Sequence, residues 1–429
     1  MNRKITNQLK KADKEDGKRL IIVNGMKCVG KTYSVLDYVK SEYEEYLYID
    51  ATHDENFKEY IKKNAGCGIK ELLSGFFKIE EEYLVNIPII LDEPDVNLLE
   101  GKVFEDYDGR LKLFIISSDR DIAETLFNRV SITQVVHLAP MNFGDFLVAT
   151  GKEWYDEVIT GHLMSRRKLP EMIHEELLDL YDLYLQTGGM PEIVDEYIRM
   201  GSTENIRERQ KTLKNALWMY LYENSIDSEA KTKGVLEAVE KILEKDNHKF
   251  MYSAIRDGVT KKLYAPTVEQ LKASNVIFSI PRLVPDGAKT TGIDTSYKTA
   301  GIDTSFKPTG IDTSYDDFRL YYSDISLYER PYGLKITESA ILQNIISTGM
   351  KAYYWESGTG AELSCVIEFD GQHIPVDIHT NGKGKGRSVS AFQKIYSTDK
   401  TIKLSEENCR FDGNTVNIPV YAAYGLKNL

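Results

Sequence analysis

Cysteine is scarce. The 429 residues contain four, Cys28, Cys67, Cys365 and Cys409. They form no C-x-x-C pair and no zinc-finger spacing, which argues against a disulfide framework or structural zinc and fits free thiols in a reducing cytoplasm. Long apolar runs are also missing. No stretch reaches the roughly 18 residues of a membrane-spanning helix, so no membrane partner is expected. The start, Met1-Asn-Arg-Lys-Ile5, is basic but has no apolar core of the secretory-leader kind. An excess of positive charge is absent as well. The net charge of −12 is not that of a general nucleic-acid clamp, although a local basic face stays compatible with it. His174-Glu175 is followed by Leu178 where a zinc-protease H-E-x-x-H would need a second histidine. What remains is an ordinary globular composition, 42% hydrophobic and 28% charged. The length suffices for about two to four domains.

The most informative stretch is Leu20-Ile-Ile-Val-Asn-Gly-Met-Lys-Cys-Val-Gly-Lys-Thr32. A short apolar run leads into Gly25-x-x-x-x-Gly30-Lys31-Thr32, the phosphate-binding loop pattern. Gly25 and Gly30 let the backbone curl so that amide N–H groups point inward at a phosphate. Lys31 brings a cation to the β- and γ-oxygens, and the Thr32 hydroxyl is placed for Mg²⁺. Val35, Leu36 and Val39 recur at helical spacing, so a helix over 33–40 adds the positive end of its dipole. Gly25, Met26, Lys27, Cys28, Val29, Gly30, Lys31, Thr32 and Tyr33 are therefore the candidate ATP site. Cys28, inside the loop, is open to oxidants or is a small loop filler.

Over the next stretch strand and helix patterns alternate, which predicts a parallel sheet. Strands are expected at 46–50, 87–93, 113–118 and 134–138, and a helix at 56–63. Ile89-Ile-Leu-Asp92-Glu93 ends a buried strand in two carboxylates. Asp92 is assigned to Mg²⁺ and Glu93 to the attacking water. Ser117, at the tip of the following strand, is a candidate γ-phosphate sensor; a plain strand-end hydroxyl is the alternative. Arg120 and Arg129 are candidate sources of transition-state charge, from within the chain or across a subunit boundary. Surface or packing roles are their ordinary alternative.

Three segments carry a resemblance. They are the phosphate loop with Leu91-Asp92-Glu93, Leu138-Ala-Pro-Met-Asn-Phe-Gly-Asp-Phe-Leu147, and Tyr184-Leu-Gln-Thr-Gly-Gly-Met-Pro-Glu-Ile-Val194. The last two are close to "L-x-P-L-S-F-x-E-F" and "Y-L-x-x-G-G-x-P-E-x-V". Together they make the sequence resemble a large group of prokaryotic AAA-like P-loop ATPases that carry a C-terminal restriction-endonuclease-like domain of unknown function. The resemblance spans nearly the whole chain. It implies a multidomain α/β fold: a P-loop core with a parallel sheet over 1–150, a helical lid over 151–245, a winged-helix region over 246–332 and a nuclease-like α/β domain over 333–429. Gly188-Gly189-Met-Pro191 reads as a turn that fixes helix packing, with no catalytic role for Glu192.

The lid region shows apolar stripes at Leu177, Leu178, Leu180, Tyr181 and Tyr184 and at Val235, Val239, Ile242 and Leu243, which are core rather than cofactor patterns. From 249 to 284 short helices and then a strand at 276–280 are expected. Lys261, Lys262 and Lys272 leave DNA contact open there, with solvated lysines as the default. Residues 291–315 repeat Gly-Ile-Asp-Thr-Ser-Tyr/Phe with a nine-residue period. Calcium-binding β-rolls share that period but need G-G-x-G-x-D, which is absent. The repeat reads as an inserted loop or hairpin without chemistry.

In the C-terminal domain a helix is expected over 336–346, a strand over 352–355, and a hairpin of 363–369 with 373–379 around Asp370-Gly371. The resemblance implies a metal-binding Asp and Glu on adjacent strands and a Lys two residues after the Glu. Here these positions hold Ser364, Asp377 and His379. Glu338 and Glu362 remain. Three departures from a site that needs its charges close together argue for a binding domain over a working nuclease. Gly382–Arg387 is a basic loop open to phosphate contact.

The sequence thus predicts a cytoplasmic ATPase using ATP and Mg²⁺, coupled to a degenerate nuclease-like domain. DNA or a protein is its partner through the winged-helix and C-terminal regions, and an oligomer is compatible. An ATP-gated Mg²⁺-dependent nuclease and a non-hydrolysing ATP switch are the alternatives.

Overall fold

The run Leu20–Asn24 is apolar up to its last residue and buried along its whole length, the mark of a strand covered on both faces. In the computed structural model it is β1 of a five-stranded sheet ordered β2-β3-β4-β1-β5. The other strands are β2 (Leu47–Asp50), β3 (Ile89–Asp92), β4 (Leu113–Ser117) and β5 (Thr133–His137). Every pairing in this sheet is parallel. The strands expected from the sequence are present within a residue or two, and the helix after the loop, Lys31–Glu42, begins two residues earlier than its apolar spacing indicates. The structure describes residues 4–15, 19–64, 66–95, 102–104, 107–130, 133–243, 245, 249–284, 317–329, 334–357, 359–379 and 386–429. The nine-residue repeat and most of the basic loop 382–387 lie outside them.

The sheet is held by one apolar core. Ile22, Ile49, Leu91 and Ile115 from four strands pack with Phe57, Leu72 and Leu126 from the covering helices. Each such side chain, fully buried, contributes about 1.5–3 kcal/mol. The strand order matters more for function than the core does. β4 lies between β1 and β3, and the register sets Asn24 beside Ser117 and Asp92 beside Ile116. The C-terminal tips of the three strands therefore end side by side, where open α/β sheets bind ligands.

The chain divides into two compact units. One runs through Ala139 and takes in Ala273–Asn275; the other is Pro140–Lys272 with Val276–Leu429. The second unit begins with helices, among them Phe143–Ala149, Glu153–Ser165, Glu171–Thr187, Pro191–Met200, Ile206–Glu223 and Glu229–Leu243. The short helices expected after residue 249 are a 3-10 turn at Tyr252–Ala254 and a helix over Lys261–Ala273 with Pro266 inside it. An antiparallel pair follows, β6 (Ile277–Pro281) with β7 (Phe318–Tyr322). The helix Leu334–Ile346 then leads to a second five-stranded sheet, ordered β12-β11-β10-β9-β8. Its strands are β8 (Ala352–Glu356), β9 (Glu362–Phe369), β10 (Gln372–Ile378), β11 (Thr401–Ser405) and β12 (Thr415–Pro419). β9 runs antiparallel to both β8 and β10, while β10, β11 and β12 are parallel to one another. The helix Gly386–Tyr396 provides the crossover that parallel β10 and β11 require.

Candidate functional site

The loop after β1 is tightly constrained. Gly25 N donates to Ser117 O at 3.2 Å, and a Cβ at Gly25 would sit 2.1 Å from Leu138 O. Leu138 cannot yield freely, because its own N–H donates to Asn24 O at 2.7 Å. Only glycine fits this approach. Farther along, Cys28 (φ 66°) and Gly30 (φ 87°) take left-handed conformations that turn the chain into the helix Lys31–Glu42. Gly30 pays no Cβ penalty for this; Cys28, as a non-glycine, does. The helix starts at the lysine of the motif, so its N-terminal dipole end faces the loop.

Lys31 is 5% exposed. Its ammonium donates to Met26 O at 3.1 Å and to Ser118 Oγ at 2.8 Å, and pairs with Glu93 Oε1 at 3.2 Å. Burial pulls the Lys31 pKa down, opposed by the Glu93 charge. Glu93 leaves β3 in a left-handed conformation, φ 48°, a backbone outlier of the kind that concentrates at functional sites. Its Oε2 accepts from Ser118 N at 2.8 Å, its Oε1 accepts from Ser118 Oγ, and Lys27 lies 3.8 Å away. Burial opposes the Glu93 charge, yet Lys31, Ser118 and Lys27 outweigh it and hold the carboxyl below its usual range. Asp92 differs. Its Oδ2 accepts from Thr32 Oγ1 at 2.7 Å and from Tyr48 OH at 2.9 Å, while its buried Oδ1 has no hydrogen-bond partner. Burial pushes the Asp92 pKa up despite these donors.

Of the residues singled out by sequence, Lys31, Thr32, Asp92 and Glu93 come together at the tips of β1 and β3. Ser117 does not join them through its side chain: its hydroxyl donates to Asp119 O and accepts from Asp119 N, both at 3.0 Å. Ser118, one residue on, is the hydroxyl that meets Lys31 and Glu93. Arg120 opens the helix Arg120–Arg129 and pairs along it with Glu124 at 3.4 Å. Arg129 sits in the last turn of the same helix, about 13 Å farther along the axis. Sequence reading missed Ser118 and Tyr48. For Ser118 the only signal was the Ser-Ser pair at the β4 tip.

The Gly188-Gly189 turn is structural. Gly189 N donates to Asp324 Oδ2 at 2.8 Å, Gly189 O accepts from Met141 N at 2.8 Å, and a Cβ at Gly189 would lie 2.1 Å from Met141 O. Asp324 is fully buried, and Ser326 N and Gln343 Nε2 are its other donors. Burial raises its pKa against these donors. Glu192 is occupied by Arg209 at 2.6 Å.

In the second sheet Cys365 pairs with Val376, so Ser364 and Asp377 fall opposite each other on one face. Asp377 Oδ2 lies 2.7 Å from His379 Nε2. Glu362 pairs at 3.4 Å with Arg319, a guanidinium only 1% exposed that also stacks 4.6 Å from the Tyr354 ring centroid. Among the described residues, no three His, Cys, Asp or Glu side chains converge as a metal-holding group.

No protein-family model matches the chain, and no curated protein matches it. Among the solved structures similar to it are two P-loop-type ATPases. A Walker-type ATPase of Pyrococcus abyssi is 17% identical over 64% of this chain and 89% of its own, with a TM-score of 0.42. A signal transduction ATPase with numerous domains (STAND) and a tetratricopeptide-repeat sensor, from Pyrococcus horikoshii, is 15% identical over 81% of this chain and 45% of its own, with a TM-score of 0.27. No helix among the described residues is long and apolar enough to cross a membrane.

Proposed function

We propose that the protein binds ATP with Mg²⁺ and hydrolyses it, coupling nucleotide state to a C-terminal binding domain of degenerate nuclease type. One observation carries the reading. Lys31, Thr32, Asp92 and Glu93 form a single bonded cluster at the ends of parallel strands, with Asp92 Oδ1 buried and lacking a partner. A divalent cation answers that orphaned oxygen, and the hard oxygen donors Thr32 Oγ1 and Asp92 suit Mg²⁺. Held by Thr32 and Asp92, Mg²⁺ would supply positive charge to offset that of the phosphates. The chain's own groups do the rest. The loop amides and the helix N-terminus hold the phosphates. Lys31 turns from Glu93 to the transferring phosphoryl oxygens. Glu93, freed of Lys31, orients a water and accepts its proton.

Within this reading the helices of 151–245 serve as a lid, 246–332 as a winged-helix region and 333–429 as the binding domain. A nucleic acid or a protein is the partner, and the protein works in the cytoplasm. Phosphate release from ATP with Mg²⁺, with and without DNA, is the test. Lys31→Ala should abolish nucleotide binding; binding that survives it refutes the reading. The Glu93 carboxylate held by Lys31 and Ser118 favours a second reading, a nucleotide switch with little turnover. That reading predicts tight ATP binding without phosphate release.

A further inference from the structure

The P-loop unit contains three residues from far along the chain, Ala273–Asn275. They lie between the helix Lys261–Ala273 and β6. Asn275 is held in the left-handed region, φ 59°, where asparagine is the best tolerated residue after glycine. Its Nδ2 donates to Asn24 Oδ1 at 3.2 Å, Ser118 O at 3.3 Å and Ala273 O at 3.2 Å. Asn24, 1% exposed at the end of β1, donates in turn to Ser117 O at 3.1 Å. The Asn275 amide is thus fixed at the tips of β1 and β4.

Ser118 makes this position informative. Its N–H and hydroxyl donate to Glu93, its hydroxyl accepts from Lys31, and its carbonyl accepts from Asn275. Each of its polar groups is therefore tied either to the lysine–glutamate pair or to Asn275. A phosphate that draws Lys31 away removes one donor from the Ser118 hydroxyl and loosens the Glu93 carboxylate. The Ser118 backbone is then free to settle differently about its φ and ψ, and its carbonyl is what Asn275 holds.

We propose that Asn275 is a positioning residue of the nucleotide site: its amide sets Ser118 against Glu93 and reads the displacement of Lys31 by a γ-phosphate. The chain carries the reading onward, because the next residue, Val276, accepts from Ser323 N at 2.9 Å, next to Asp324. Asn275 thereby discriminates a nucleoside triphosphate from a diphosphate and passes the difference along the chain toward β6. The proposal rests on the nucleotide-site reading above.

Two variants test it. Asn275→Gly keeps the left-handed backbone and removes the amide. Asn275→Asp keeps the shape and replaces donors by a carboxylate facing three oxygens. Both are measured for ATP and ADP affinity, kcat, KM and Tm beside Lys31→Ala. Losing one or two buried hydrogen bonds should cut the ATP-over-ADP preference and kcat by about three- to tenfold while KM for ATP moves less than about twofold. A lowered Tm with an unchanged ATP-to-ADP ratio and kcat overturns the proposal and leaves Asn275 a structural turn. If Lys31→Ala loses nucleotide while both Asn275 variants keep the wild-type ratio and kcat, this proposal alone fails. If Lys31→Ala still binds nucleotide, the site reading fails and takes the proposal with it.

Discussion

Replacing Glu93 by glutamine should tighten ATP binding while stopping turnover. Lys31 and Glu93 stand 3.2 Å apart, with 4% and 18% of their side chains exposed. At an effective dielectric constant near 20, Coulomb attraction at that distance is about 5 kcal/mol. Desolvation of both groups offsets much of it. The second partner, Lys27, adds little: it is 3.8 Å away and one-third exposed, so solvent screens it. A net pairing of about 1–2 kcal/mol remains for ATP to break, after allowance for burial. Glutamine keeps an oxygen for the Ser118 N–H, turns its NH2 toward the Ser118 hydroxyl and removes the charge that competes for Lys31. ATP affinity should therefore rise about five- to thirtyfold. Phosphate release should fall by about 10²–10⁴, the usual contribution of a positioned general base. Calorimetric titration of ATP·Mg²⁺ and a phosphate-release assay on the same preparation measure both. Weaker binding in Glu93→Gln than in wild type, or wild-type turnover, would refute the reasoning.

Other substitutions probe the fold around the site. Gly25→Ala forces a methyl against Leu138 O; overpacking of about 1–3 kcal/mol should lower Tm and abolish ATP binding together. Asp324→Ala strips three buried donors of their acceptor and should cost about 3–5 kcal/mol, read as a lower denaturation midpoint. The Glu93 pKa lies below its ordinary 4.5, so its pairing stabilises fully above that value and is lost as pH falls through the lower folded value. Glu93→Gln should accordingly flatten that acid limb in a Tm-against-pH series. His174 behaves like a lowered group at higher pH. It is 4% exposed between Tyr421 OH at 2.8 Å and Glu406 O at 3.0 Å, and burial depresses its pKa from 6.5. The unfolded chain takes up that proton first, so stability should decline as pH drops through 6.5, and His174→Gln should remove the decline.

The P-loop unit was legible in the sequence because its signals are local and redundant. Apolar strands end in chemistry-bearing residues, and the glycine pattern admits few alternatives. The choice between Ser117 and Ser118 was not legible. β4 is buried on both faces, so no alternation marks which hydroxyl turns toward the loop. Tyr48 was hidden for a different reason. Its meeting with Asp92 depends on β2 pairing with β3 in a register no local pattern announces. Asn275 lies 251 positions from its partner Asn24, beyond the reach of any motif. In the C-terminal sheet the identities of Ser364, Asp377 and His379 were readable, but the buried Arg319 beside Glu362 was not, since β7 is apolar around it.

The buried pairing of Lys31 with Glu93 also bears on what can enter the loop. A small monovalent anion arriving from solvent would have to replace a carboxylate already held by an ammonium and two Ser118 donors. Chloride offers a single charge and no geometry to match. Raising ionic strength screens exposed charges within a Debye length of about 8 Å but reaches a buried pair far less. The Lys31–Glu93 pair is in effect its own counterion, and only a polyanion that brings several charges at once, spread along the loop amides, competes on favourable terms. Buffer salt should therefore shift the affinity for triphosphate only modestly, while pyrophosphate should be an effective rival.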